Sequence, residues 1–163
     1  MPAPIVLFNL QFTLSLVLYA LIALWFVAPR LSKLPREVAL QPLVLVHCFR
    51  IIGGSILAPG SVGAGVPESF RTMVGYGDMI TAAIAIVALI ALRLRVPWAL
   101  PIVWILLVVA TVDTTNAVIQ SLRYNVFNYD LGVNWEIVTI YVPALLVSSV
   151  LILLRLIRPA RPA

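Results

Sequence analysis

Charge, lysine, histidine and cysteine are what this sequence has little of. Only 10% of its 163 residues are charged, whereas 63% are hydrophobic. A water-soluble domain carries about 25% charged and 45–50% apolar residues, so the balance excludes an ordinary soluble class. Cys48 is the sole cysteine, which rules out an intrachain disulfide and any Cys-x-x-Cys metal or haem-attachment motif. His47 is the sole histidine. Haem at His47 would therefore have to be shared by two copies or completed by a different ligand, and no group with metal-ligand spacing exists beyond His47 itself. Lys33 is the sole lysine, so the Gly-rich stretch 59–67 lacks the lysine of a phosphate-binding loop. The formal net charge of +5 would suggest nucleic acid in a soluble chain. Here the basic residues sit at the ends of apolar runs with no interleaved aromatics, and nucleic acid is rejected as a partner.

Long apolar runs are what is there, with a mean hydropathy of +1.10. A helix crossing a bilayer needs about 20 such residues. The expected fold is an all-α integral membrane protein in a lipid bilayer, a bundle of about five transmembrane helices forming one domain over 1–163. The spans fall at approximately 5–27, 38–57, 72–92, 98–122 and 135–157. The first has no basic flank and is too long for a cleaved signal, so it reads as a retained helix. The third leaves two threadings open: a helix starting near Pro67 that tolerates Gly75 and Gly77, or an interfacial piece that breaks at Gly75-Tyr76-Gly77.

Basic residues alternate with the connections. Arg30, Lys33 and Arg36 follow the first span, Arg93 and Arg95 the third, and Arg155, Arg158 and Arg161 the fifth. The other two connections are poor in them. The positive-inside rule then places the N-terminus outside and the C-terminus in the cytoplasm. No internal repeat suggests a transporter built from related halves.

Ionisable side chains inside spans cost at least about 2.5–3.5 kcal/mol each and therefore look for partners within the bundle. In the second span Leu43, His47, Arg50 and Gly54 share a helical face, and Gly53 and Gly54 allow another helix close. The third carries a stripe of Asp78, Thr81, Ala82 and Ala85, the fourth a polar face of Asp113, Asn116, Ala117 and Gln120. On the five-span threading Arg50, Asp78 and Asp113 lie at similar depth in the outer half. The expectation is a cluster of His47, Arg50, Asp78, Asp113 and Asn116 in which Arg50 pairs with one or both carboxylates. Plainer readings compete. Asp78 after Gly77 could be a helix N-cap; Asp113 and Asn116 could be interhelical hydrogen-bonding glue. His47 could be a packing histidine rather than a ligand or proton relay, and Cys48 an inert packing residue. Trp25, Trp98 and Trp135 read as interface anchors and Trp104 as a deeper packing residue. The loop with Tyr124, Phe127 and Tyr129 lies on the membrane surface or covers the bundle.

The runs His47-Cys48-Phe49-Arg50-Ile51-Ile52-Gly53-Gly54, Gly75-Tyr76-Gly77-Asp78, Asp113-Thr114-Thr115-Asn116-Ala117 and Val142-Pro143-Ala144-Leu145-Leu146-Val147 resemble, in that order, a family of small, uncharacterised bacterial membrane proteins. The resemblance covers roughly 43–158. It implies a multi-span inner-membrane fold with His47, Arg50, Asp78 and Asp113 as its polar signature, and no activity.

Three functional classes fit these residues. The first is a non-enzymatic membrane protein whose polar site handles a proton, an ion or a small amphipathic ligand, with a homo-oligomer formed through small-residue faces near Gly53, Gly54, Ala82 and Ala85. The second is a membrane enzyme acting on a lipid or isoprenoid, with Asp78 or Asp113 as acid or base and Arg50 holding an anionic head group. The third is an accessory or cofactor-holding subunit of a larger complex.

Overall fold

Three helices of this chain deviate from regular geometry, two of them just ahead of a proline, and the deviations shape the bundle. The structure, a computed structural model, describes residues 3–157. The tail residues Arg158 and Arg161 of the expected basic terminus lie outside the described residues. Five helices are long and apolar enough to cross a membrane: α1 Pro4–Leu31, α2 Arg36–Leu57, α3 Glu68–Leu94, α4 Ala99–Arg123 and α5 Asn134–Ile157. No strand occurs among the described residues.

In α1 and α5 a π-helical turn stands just before an internal proline, at Ala23–Val27 ahead of Pro29 and at Ile137–Tyr141 ahead of Pro143. Proline has no N–H for the carbonyl four residues back, here Trp25 and Thr139, and both carbonyls fall inside the π turn. Widening the helix there absorbs the missing bond without a break. Helix α1 therefore runs on to Leu31, four residues beyond its expected end, and Arg30 donates to the Phe26 carbonyl at 2.8 Å.

Helix α2 changes pitch the other way. It is α-helical over Arg36–Cys48 and 3₁₀ over Phe49–Leu57. A nine-residue 3₁₀ run is long, since most extend no further than about 3–4 residues. Three residues per turn stack positions 50, 53 and 56, and Arg50, Gly53 and Ile56 are the buried residues of the segment. The expected face ended in Gly54; the tighter winding puts Gly53 there instead. Arg71 of α3 donates from Nε to the Ile56 carbonyl at 3.1 Å, and the Ser61 hydroxyl reaches the same oxygen at 3.2 Å. An arginine at this end, otherwise out of place, thus caps the carbonyls of α2.

Helix α3 is continuous from Glu68 to Leu94, which settles the threading in favour of the helix that starts after Pro67. Asp78 lies in its interior and caps nothing. The stripe Thr81, Ala82, Ala85, Ala88 and Ala91 is buried, and its last three members form, with Leu40, Leu43, Val44, Val103, Leu106 and Ile152, the main apolar cluster. Small side chains let α2 and α4 approach α3 closely. Gly53, Ala82 and Ala85 are thereby buried inside the chain, and of the small residues expected to join copies Gly54 alone is partly exposed.

A second apolar cluster of Ile56, Val66, Phe70, Val126 and Leu131 occupies the opposite end. It is roofed by the connections 58–67 and 124–133, which bond to each other through Gly63 N–H and the Asp130 carbonyl at 2.7 Å. The aromatic loop thus covers the bundle. Helix α1 stands outside it: none of its most apolar window is buried. Its Phe8 packs on Phe127 and Trp135, and Trp135 Nε1 donates to Gln11 Oε1 at 2.6 Å. Trp135, expected as an interface anchor, serves as the peg that holds α1. The basic connections and Arg155 gather at the end away from this roof.

Substituting Ala88→Leu forces a larger side chain between α3 and its neighbours. The expected loss is about 1–3 kcal/mol, read as a lower thermal midpoint of the detergent-solubilised protein. Val87→Leu, on the exposed side of α3, is expected to stay within about 0.5 kcal/mol.

Candidate functional site

Between the two apolar clusters lies a polar layer centred on Arg50. The 3₁₀ winding of α2 points this side chain into the bundle, where the residue is 3% exposed. Its Nε stands 2.9 Å from Asp78 Oδ1 on α3, and its Nη2 stands 3.1 Å from Asp113 Oδ2 on α4. Nη2 also donates to the Thr114 hydroxyl at 2.8 Å. The contact to Asp78 is one of charge, because the Nε–H does not point along a hydrogen bond, and Nη1 has no partner. A buried guanidinium with donors left over, held between two carboxylates, is a site with unspent hydrogen-bonding capacity.

Two glycines make the arrangement possible. A Cβ on Gly53 would run into the Asp78 carboxylate, 2.6 Å from its Cγ, and one on Gly77 would run into the Asp113 carboxylate, 3.0 Å from its Cγ. Asp78 is therefore seated on the backbone of α2, and Asp113 on the backbone of α3. Each acid rests on the helix before its own. Each carboxylate meets Arg50 with one oxygen, and the other, Asp78 Oδ2 or Asp113 Oδ1, is the atom nearest the glycine position.

The cluster forms part of the wall of a cavity of about 90 Å³ between α2, α3, α4, α5 and the loop roof. Its lining is otherwise largely apolar, with Phe70, Phe127 and Tyr141 supplying aromatic surface and Ile137, Val138 and Val142 aliphatic surface. Helices α4 and α5 meet only sparsely. Val118 lines the cavity on the α4 side and is itself 51% exposed, so it stands between the cavity and the flank of the bundle. On the far wall the Tyr141 hydroxyl donates to the Val46 carbonyl of α2, and further along α5, away from the cavity, the Ser148 hydroxyl donates to the Leu43 carbonyl at 2.9 Å. These bonds fix α5 to the lower half of α2.

Of the residues expected in the cluster, Arg50, Asp78 and Asp113 are brought together. Asn116 is not. The cavity side of α4 is the stripe Asp113, Thr114, Ala117, Val118 and Ser121. Asn116 lies on the other shoulder of the helix, exposed, with its Nδ2 3.1 Å from Met73 Sδ. Gln120 is also off the stripe. His47 is 1% exposed, one turn below Arg50, and turns to α5, where Nε2 is 3.5 Å from the Ser149 hydroxyl. It does not line the cavity. A ring so enclosed offers no nitrogen at the surface for a haem shared by two copies. Cys48 is free and packs against the main cluster, its sulfur 3.6 Å from the Val44 carbonyl.

Sequence reasoning missed Thr114, Tyr141 and the seating role of Gly77. Thr114 and Tyr141 lie far along the chain from Arg50, and nothing in their spacing marks them. Gly77 carried a signal, since a glycine inside a helix that continues through it usually marks a close approach.

The description Domain of unknown function (DUF8737) belongs to a family whose model matches residues 7–157. The chain is a member of that family. No curated protein and no solved structure matches it. In this DUF8737 member the matched region takes in four helices whole, the first from its fourth residue onward, and every residue of the polar layer.

Arg50→Leu strands two carboxylates among apolar residues, and the expected loss is about 3–5 kcal/mol. The triple variant Arg50→Leu, Asp78→Asn, Asp113→Asn is expected to regain much of it, as thermal unfolding in detergent would show. Gly53→Ala drives a methyl into the Asp78 seat and is expected to lower the midpoint more than Gly54→Ala. The latter meets only the flexible end of Met79, at 3.1 and 3.3 Å.

Proposed function

We propose that this chain is a five-span integral membrane protein of a bacterial inner membrane, its N-terminus outside and its C-terminus cytoplasmic. Its outer-half cavity binds one small amphipathic ligand drawn from the bilayer. The ligand's polar end meets Arg50, Asp78 and Asp113, and its apolar part lies along the gap between α4 and α5.

The observation that carries this reading is Arg50 itself: a 3% exposed guanidinium with one nitrogen unpartnered, set in the wall of an otherwise apolar cavity. A purely structural ion cluster is expected to be fully satisfied and closed over. The cavity volume of about 90 Å³ suits a compact head group of a few atoms. The flank at Val118 supplies a route from the lipid phase. The placement in the membrane rests on five helices of sufficient length and hydropathy, on many large apolar side chains facing outward, and on basic residues gathered at one end.

Native mass spectrometry of the protein in mild detergent tests the reading. A reproducible bound mass is expected with the natural chain, and it is expected to vanish in Arg50→Gln and in Asp113→Asn while both variants elute at the same volume as the parent. Equal retention of the mass by both variants would reject the site.

A further inference from the structure

Resting on that binding site, we infer that its ligand is a monovalent organic cation, an ammonium-type head on an apolar tail, and that the cation and a single proton occupy the site in exchange for one another.

Charge balance points to this class. Among the groups of the layer, Arg50 brings one positive charge, and Asp78 and Asp113 bring two negative ones when ionised. The layer thus holds one uncompensated negative charge between two apolar clusters, where an unbalanced charge is costly. One proton or one monovalent cation neutralises it; a divalent ion would overcharge it. No group of three or more metal-binding side chains occurs among the described residues. The oxygens that do not face Arg50 lie against the Gly53 and Gly77 backbones, which leaves a proton room on the pair but gives a bare metal ion no ring of ligands.

The walls favour an organic cation. Phe70, Phe127 and Tyr141 line the same cavity, and the face of an aromatic ring attracts ammonium groups. The aliphatic side chains beside them accommodate an alkyl tail. Arg50 does not repel such a guest as a free charge would, because both carboxylates already engage it. Its unpartnered Nη1 remains to donate to any acceptor the ligand brings.

Proton and cation compete because they answer the same charge deficit. When the cation enters, the proton shared by the carboxylates leaves to solvent, and no other bond changes. The pair titrates as a unit, so the proton belongs to Asp78 and Asp113 together. The titratable groups around it are few. Arg50, His47 and Cys48 come from α2, and Tyr141 comes from α5, its hydroxyl held by the Val46 carbonyl. His47 turns towards Ser149, and α1 contributes no lining residue.

Isothermal titration of the purified full chain in a neutral detergent, in weakly buffered solution, tests this with decyltrimethylammonium as the probe. That cation carries no exchangeable proton, so any proton released comes from the protein. The expected result is release of about one proton per cation bound, with affinity falling about tenfold per pH unit on the acid side of the pair's titration. Asp113→Asn is expected to abolish binding and proton release together, and Asp113→Glu to retain both. Asp78→Asn serves the same purpose if Asp113→Asn fails to elute as the parent does. Cation binding without proton release, and with no pH dependence, would overturn the exchange. Binding of decyl sulfate but not of the cation would overturn the ligand class and leave the site itself standing. If neither amphiphile binds and the natural chain retains no mass of its own, this inference and the binding site fall together.

Discussion

A single guanidinium among apolar side chains sets the terms for the rest of this bundle. Arg50 is 3% exposed well inside both ends of α2, and an unpaired charge there is costly. Meeting it with two carboxylates requires three helices to converge at one depth. Asp78 reaches it only because α3 can press against a glycine of α2, and Asp113 only because α4 can press against a glycine of α3. The pitch of α2 belongs to the same solution, since 3₁₀ winding stacks Arg50, Gly53 and Ile56 on the face that α3 covers.

The apolar clusters on either side have a different logic. The one at the basic end is built from alanine against leucine, close and well filled. The one beneath the loop roof contains more aromatic and loop residues and is assembled partly by the connections themselves. Close packing at one end and a roof of loops at the other leave the polar layer as the place where space remains. Helix α5 forms the far wall of that space while α1, pinned by Phe8 and Gln11, stands behind it.

Much of the architecture was legible in the sequence, because hydropathy and basic residues repeat at lengths set by helical rise. The five helices fall within a few residues of expectation, with the third extending further towards Pro67. The convergence of Arg50, Asp78 and Asp113 was legible for the same reason: charges at matched depth in neighbouring helices have few other partners. Azimuth was harder to read. The exchange of Gly54 for Gly53 follows from a change of pitch that no residue announces. Asn116 fell outside because a polar face on a helical wheel does not say which shoulder meets the cavity and which meets a neighbour such as Met73. Proline signalled where α1 and α5 depart from regular winding, but whether a helix kinks or widens depends on its packing.

The 3₁₀ run in α2 has a mechanical corollary. Each residue rises about 0.5 Å more than in an α-helix, so nine of them make the segment about 4–5 Å longer than α winding would. Between positions three apart, the change of winding also turns the chain by about 60°. Axial length and the angular place of Gly53 beneath Asp78 are therefore one variable. Rewinding this segment as α-helix would shorten it and turn Gly53 from beneath the Asp78 carboxylate.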